Sequence, residues 1–317
     1  MPFKVHGFSE VIFSVRNLER DKSFYSKTCG WDIIHEGEVD RSILDFWKLP
    51  DTATANEVIL KYPGREGGKV RLISFHKVEQ KHIRDSSQSW DTGGIYDVDV
   101  RVLDLDEKIE AFQSQGWSGY APAKTYHFNQ FHVTEILMRG SEDIVFAMIK
   151  RHAPQLEGYP MLKHISHVFN SSQIVKDIGI SKDFFINKLG FTQYSEFNAE
   201  DGPAGPNVFG VPYNYYDKIA RRISIVSPDG RNEGSVELIQ LDGLEGRDYS
   251  SDAIPPNLGI LMLRFPVDHL LEFEDYIRNN EVEIHLKGEL QIEPYGNCNV
   301  IVIKSPDGAW MEFYETT

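Results

Sequence analysis

The sequence predicts an α+β fold built from four β-α-β-β-β units in two pairs. Three observations carry this. Three of the four candidate helices stop at a glycine followed by an aromatic residue: Gly30-Trp31, Gly116-Trp117 and Gly190-Phe191. Glycine is favoured just past a helix end because it adopts the left-handed conformation freely. Aligning the last strands of the units pairs Arg71 with Phe146 and Glu237 with Glu312, 75 positions apart in each half. Equal spacing in the two halves is the mark of an internal repeat. Finally, Ser305-Pro-Asp-Gly308 is turn chemistry leading into an alternating aromatic strand, Ala309 to Glu315.

Unit 1 opens on a β-branched and aromatic strand, Glu10 to Val15. It continues through a helix at Leu18–Thr28 with Phe24 and Tyr25 on its apolar face, and returns in strands near 58–61 and 70–75. In unit 2, Asp97–Val102 is a strand, Leu105–Gln115 a helix, and 132–138 and 144–149 are strands. In unit 3 a strand is expected at His164–Phe169 and a helix around Ser181–Leu189, with strands at 223–226 and 236–241. Unit 4 has a strand at Ile260–Phe265, a helix at Val267–Arg278, and strands near 300–304 and 310–314. Asn279-Asn280 stands in place of its stop glycine, since asparagine tolerates the left-handed region. The proline-containing stretch Arg151–Pro160 is the expected linker, giving domains at 1–155 and 156–317.

In the last strand Trp310, Glu312 and Tyr314 share one face. An acid in the middle of an aromatic strand is costly to bury alone, so Glu312 needs a cation, a donor or water.

Bulk properties exclude several classes. The chain has 317 residues, 41% hydrophobic and 26% charged, as in a soluble globular protein. With 33 Lys+Arg against 48 Asp+Glu, the net charge is -15, which repels a phosphate backbone. Nucleic acid is not an expected partner. No apolar run is long enough to span a bilayer, and no leader pattern opens the chain. Cys29 and Cys298 lie far apart and predict no disulfide framework, in keeping with a reducing, cytoplasmic location. No P-loop, GxSxG or dinucleotide glycine fingerprint is present, so no organic cofactor is expected.

Four such units resemble the glyoxalase, bleomycin-resistance and extradiol-dioxygenase superfamily, the vicinal oxygen chelate proteins. The resemblance rests on Phe24-Tyr25 with Cys29-Gly30-Trp31, on Phe184-Phe185 with Leu189-Gly190-Phe191, and on Pro306-Asp307-Gly308 leading to Glu312. The four-unit length looks like the dioxygenase branch. The resemblance implies paired units whose mixed sheets curl around a cleft, with metal ligands from the first and last strands of each unit.

Carried over, it offers His164 and Glu237 from unit 3, and Ile260 and Glu312 from unit 4. His167 is the alternative to His164: three residues apart on a strand, they point to opposite faces. His164, Glu237 and Glu312 would hold a divalent metal (Fe, Mn, Ni or Zn) with open positions for two substrate oxygens, Glu312 alternating between ligand and base. Ile260 cannot bind metal where iron-dependent extradiol enzymes place a second histidine, which favours an isomerase or lyase over a dioxygenase. The N-terminal half offers Glu10, Arg71, Asp97 and Phe146, which read better as an ion-pair cluster than as a metal site. The irregular stretch from Asp201 to Arg222 carries Tyr213, Tyr215 and Tyr216; with Ile260 these are the expected walls of a substrate pocket, a dimer contact being the alternative for the tyrosines.

The expected function is thus a metal-dependent enzyme acting on a small oxygenated, in one reading aromatic, compound. The alternative is a metal-free small-molecule-binding protein of the bleomycin-resistance type. The plain reading of the acids, as solvated strand residues with His164 a hydrogen-bonded core residue, stands beside both.

Overall fold

Units 1, 3 and 4 run strand, helix, then three strands that double back, and unit 2 has four; in each unit the last strand lies parallel to the first. The computed structural model that shows this describes residues 2–159, 162, 164–200 and 204–317. Pro160 of the expected linker and Asp201, Gly202 and Pro203 of the irregular stretch lie outside the described residues. The first helices of units 1, 2 and 3 begin on Asn17, Asp104 and Asp177, whose side chains accept the N–H of Arg20, Glu107 and Ile180. The expected stop glycines hold φ of 73°, 86° and 78° at Gly30, Gly116 and Gly190. In unit 4 the left-handed position falls on Glu281, at φ 61°, and not on Asn280.

Two nine-stranded mixed sheets result, and they do not divide at residue 155. The first joins unit 1 to unit 4 by antiparallel pairing of Glu10–Ser14 with Gly259–Asp268. The second joins unit 2 to unit 3 by pairing Asp97–Arg101 with Asn170–Ile174. The expectation of one paired cleft in 1–155 and another in 156–317 is therefore corrected. Each sheet takes one unit from either half. What holds each half together is instead the helix side. Phe24 of unit 1 stacks on Trp117 and meets Phe112 of unit 2, while Phe191 of unit 3 meets Phe265 of unit 4. These rings belong to one core between the sheets, where each buried aromatic side chain contributes roughly 1.5–3 kcal/mol.

The first strand of unit 3 is Asn170–Ile174, not His164–Phe169. The earlier segment runs beside unit 2 through Ser166 N–H to Arg101 O and Phe169 N–H to Asp99 O, but it enters no sheet as a named strand. The polar run Asn-Ser-Ser-Gln-Ile hides its strand character because its side chains are buried against polar neighbours rather than apolar ones. In the last strand of unit 2, Phe146 points into the core between the sheets and Ala147 stands beside Asp99.

The turn Pro306-Asp307-Gly308 ties the sheets together. Gly308 sits at φ 78°, and Asp307 accepts from Lys176 N–H at 3.0 Å and from the Ser181 hydroxyl at 3.2 Å, both in unit 3.

Candidate functional site

The concave face of the first sheet is filled. Ile43, Leu44 and Trp47, on and just after the short helix Arg41–Phe46, cluster with Ile73, Phe75, Met262, Val302, Trp310 and Tyr314. Among them lies a closed ion-pair network. Arg71 Nε donates to Glu10 Oε1 at 2.7 Å and its Nη1 to Glu57 Oε2 at 2.5 Å. Arg264 Nη1 donates to the same Glu10 oxygen at 2.5 Å, its Nε donates to Glu312, and Tyr295 donates to Glu10 at 3.1 Å. Burial raises the Glu10 carboxyl, but Arg71 and Arg264 beside it overcome that and hold it below its ordinary range.

The concave face of the second sheet is open, with a cavity of about 460 Å³. Its floor follows from strand alternation. In Asp97-Val-Asp-Val-Arg101 the acids and the arginine face the cavity, while Val98 and Val100 face the core between the sheets. Register then sets a row: Asp97 lies opposite Ser172, and Ser172 beside Glu237 on the last strand of unit 3. Ser172 N–H donates to Asp97 Oδ1 at 3.1 Å. Glu135 reaches the cavity from the strand Phe131–Arg139 and accepts from the Tyr126 hydroxyl.

Among the described residues these carboxyls form no ion pair, unlike those of the first sheet. Burial, with Glu135 nearby, pushes Asp97 up to about 7 despite its bond from Ser172. Burial, then Glu135 and Asp97, push Glu237 up to about 8 against the pull of Arg101. Asp99 is raised well above the usual range by burial and by Asp97, Glu237 and Glu135. Glu135 is raised by burial, offset in part by Tyr126 and Arg101. The walls are aromatic: Phe128, Phe131, Phe169, Tyr194, Phe197 and Phe209. The segment 204–209 contributes to one side, braced by Asn207, which donates to Val211 O at 2.8 Å and accepts from Val211 N–H at 3.0 Å.

The sequence-expected trio is not assembled. Glu237 lies in the second cleft, Glu312 in the ion-pair network of the first. His164 is exposed, outside both sheets, 3.5 Å from Lys108 Nζ. Its alternative, His167, is buried and pairs with Glu233 at 2.6 Å. Ile260 faces the core between the sheets; the group of its strand that meets Glu312 is Arg264. The N-terminal cluster is split. Glu10 and Arg71 form the anticipated ion pair, while Asp97 belongs to the other sheet. Of the tyrosines, Tyr216 lines the cavity and Tyr213 and Tyr215 are exposed. Sequence reasoning missed Asp99, Arg101, Glu135 and Ser172. For the first two, the alternation of charged residues with valine was the available signal.

Among the described residues, no three histidine, cysteine or carboxylate side chains converge as a metal site. In the second cleft the last strand of unit 2 offers Ala147, and the first strand of unit 3 offers Ser172 and Asn170. The expected three-ligand metal centre does not fit this donor set.

No family model matches the chain, and no curated protein matches it in sequence. Solved structures match nearly the whole of this chain. Glyoxalase I from Zea mays is 13% identical, with a TM-score of 0.64 over 99% of this chain and 93% of that one. A proposed dioxygenase from Bacillus subtilis is 10% identical, with a TM-score of 0.60 over 99% and 86%. No helix among the described residues is long and apolar enough to cross a membrane.

Proposed function

We propose that this chain, whose fold is that of the vicinal oxygen chelate superfamily, is an enzyme that moves a proton on a small oxygenated aromatic compound bound in the second-sheet cleft. The observation that carries the reading is the row Asp97, Ser172, Glu237: two carboxyls on strands that flank the strand of Ser172, titrating near 7 and near 8.

A proton-transfer group works best when its pKa lies near the working pH. Here the acids also oppose one another's ionisation. Losing a proton from one makes the next loss harder, because the second charge forms beside the first. Near neutral pH the cleft therefore offers a carboxylate that accepts a proton and a carboxylic acid that donates one. Arrangements that push two titrating groups apart divide acid and base roles in this way. Ser172 orients Asp97, and Tyr126 orients Glu135. The aromatic walls exclude water and hold a flat ring. Because the donor set does not suit a three-ligand metal, no step passes through one.

The test is isotopic. Small aromatic hydroxy and oxo compounds are incubated with the protein in D₂O, and exchange of carbon-bound protons is followed by ¹H NMR. The reading expects exchange in at least one compound that binds, and its loss in Glu237→Gln. Exchange that survives Glu237→Gln and Asp97→Asn, or binding with no exchange in any compound, overturns it. The second outcome would leave a binding protein, which the absence of a converging metal trio among the described residues already favours over a metal enzyme.

A further inference from the structure

Two arginines in the second cleft have no counter-ion. Arg101 is 5% exposed, and its Nε has no hydrogen-bond partner. Arg151 is half-buried, and its Nε is likewise buried without one. Neither forms an ion pair among the described residues. Elsewhere in the interior, Arg71 and Arg264 are each held by two carboxylates. A buried guanidinium left unpaired is costly and is found where something else completes it.

The two sit close together. Arg101 lies opposite Ile149 in the register, and Arg151 follows two residues on, with its side chain on the same face. Each guanidinium is covered by a ring: Arg101 Cζ is 3.7 Å from the centre of Phe169, and Arg151 Cζ is 4.3 Å from that of Phe131. Stacking covers the flat faces and leaves the N–H edges free, the geometry in which a guanidinium fork takes up a planar anion. The repulsion is felt, since burial and then Arg101 bring Arg151 down to about 10. The cleft acids relieve it little, because burial raises their titration and none of them forms an ion pair with either arginine among the described residues. Along the floor, Asp99 is about 7 Å and Asp97 about 13 Å from Arg101 at strand spacing.

We propose that Arg101 and Arg151 form an anion-binding end of the cleft, and that its ligand is a small aromatic carboxylate held by its carboxylate there, with its ring directed along the floor toward Asp97 and Glu237. This names the substrate class of the proton-transfer reading and rests on it for the role of the far end. The anion end itself rests only on the two arginines and their rings. A phosphate would satisfy the same guanidinium edges but would not use Phe128, Tyr194 and Phe197, which also line the cavity.

The probes are 4-hydroxybenzoate, its neutral isostere 4-hydroxybenzamide, and inorganic phosphate, titrated calorimetrically near neutral pH. The acid should bind at least about tenfold more tightly than the amide, the equivalent of one charge-assisted contact. Arg101→Met and Arg151→Met should each remove that preference without weakening the amide. Glu237→Gln should keep it. Arg151 is only half-buried, so its variant serves if Arg101→Met does not fold. Equal binding of acid and amide, a preference that survives both arginine variants, or no binding at millimolar acid overturns the proposal. Phosphate competing as strongly as the benzoate overturns the aromatic carboxylate assignment. If Glu237→Gln leaves proton exchange intact while the arginine variants still abolish the preference, the proton-transfer reading has failed and the anion end stands.

Discussion

In the first sheet, Glu10 and Glu312 project from a first and a last strand onto Arg71 and Arg264, and Trp47, Phe75 and Trp310 close over them. In the second sheet, Asp97 and Glu237 project from the corresponding strands into a cavity of about 460 Å³. Same topology, same acidic positions, opposite outcomes. The difference lies in what stands beside each acid. Where the first sheet has Arg264 next to Glu312, the second has Ser172 next to Glu237. Where the first has Arg71 near Glu10, the second has Ala147 beside Asp99. Acids paired with guanidinium groups are fixed in place; acids without an ion-pair partner have their titration raised by burial and stay available for chemistry.

The hardest test of this contrast is to break the network. Arg264→Leu strands Glu10 and Glu312 in the interior and should cost about 3–5 kcal/mol of folding stability in urea unfolding. A cost under about 1 kcal/mol, the level of an exposed pair, would mean that the first cleft is no sealed scaffold. Next comes a matched pair of insertions. Ile73→Trp overfills the first cleft and should cost about 1–3 kcal/mol. Ile223→Trp occupies the open cavity, and should cost less than about 1 kcal/mol while blocking 4-hydroxybenzoate. Equal costs would remove the distinction between filled and open.

A finer test uses pH. Glu237 titrates at about 8 in the folded chain against an ordinary 4.5, so the folded state holds its proton more tightly. That contribution to stability is full below about 4.5 and is lost as pH rises through about 8. Glu237→Gln should therefore match the parent chain's melting temperature near pH 4 and exceed it near pH 9. A variant less stable at the higher pH would contradict the raised titration. The smallest expected effect is at Ser172. Ser172→Ala removes the hydroxyl that favours ionised Asp97 but keeps the backbone bond, and should raise the Asp97 titration by less than about one pH unit, read from carboxyl ¹³C shifts.

The repeat was legible because it is written in local chemistry. Stop glycines act within a few residues and mark the helix ends of units 1, 2 and 3, and the Pro-Asp-Gly turn marks the start of the last strand of unit 4. Which units share a sheet was not legible. Nothing local in an opening strand distinguishes a partner in one's own half from one across the chain. The opening strand of unit 3 was lost for a related reason. Hydrophobic alternation marks a strand with one apolar and one solvated face, and Asn170–Ile174 is buried on both, with polar groups facing the cavity. The preceding His164–Phe169 looked more like a strand because Ile165, Val168 and Phe169 are apolar. That misplacement moved the predicted ligand from Ser172 to His164, and the pairing of unit 3 with unit 4 put Glu237 and Glu312 in one expected site when they lie in different sheets.

The crossing of the halves also has a consequence for how the molecule is made. The second sheet is complete once Leu241 has been synthesised, whereas the first requires Gly259–Asp268 and then the last strand, Trp310–Thr316. The cleft proposed to do the chemistry is thus nested inside the chain, and the sealed scaffold closes around it from the two ends. Until that closure, Glu10 and Arg71 have only each other and Glu57 for company, and the aromatic faces destined for the shared core lie bare. A nascent chain released early would carry a formed pocket on an unfinished body.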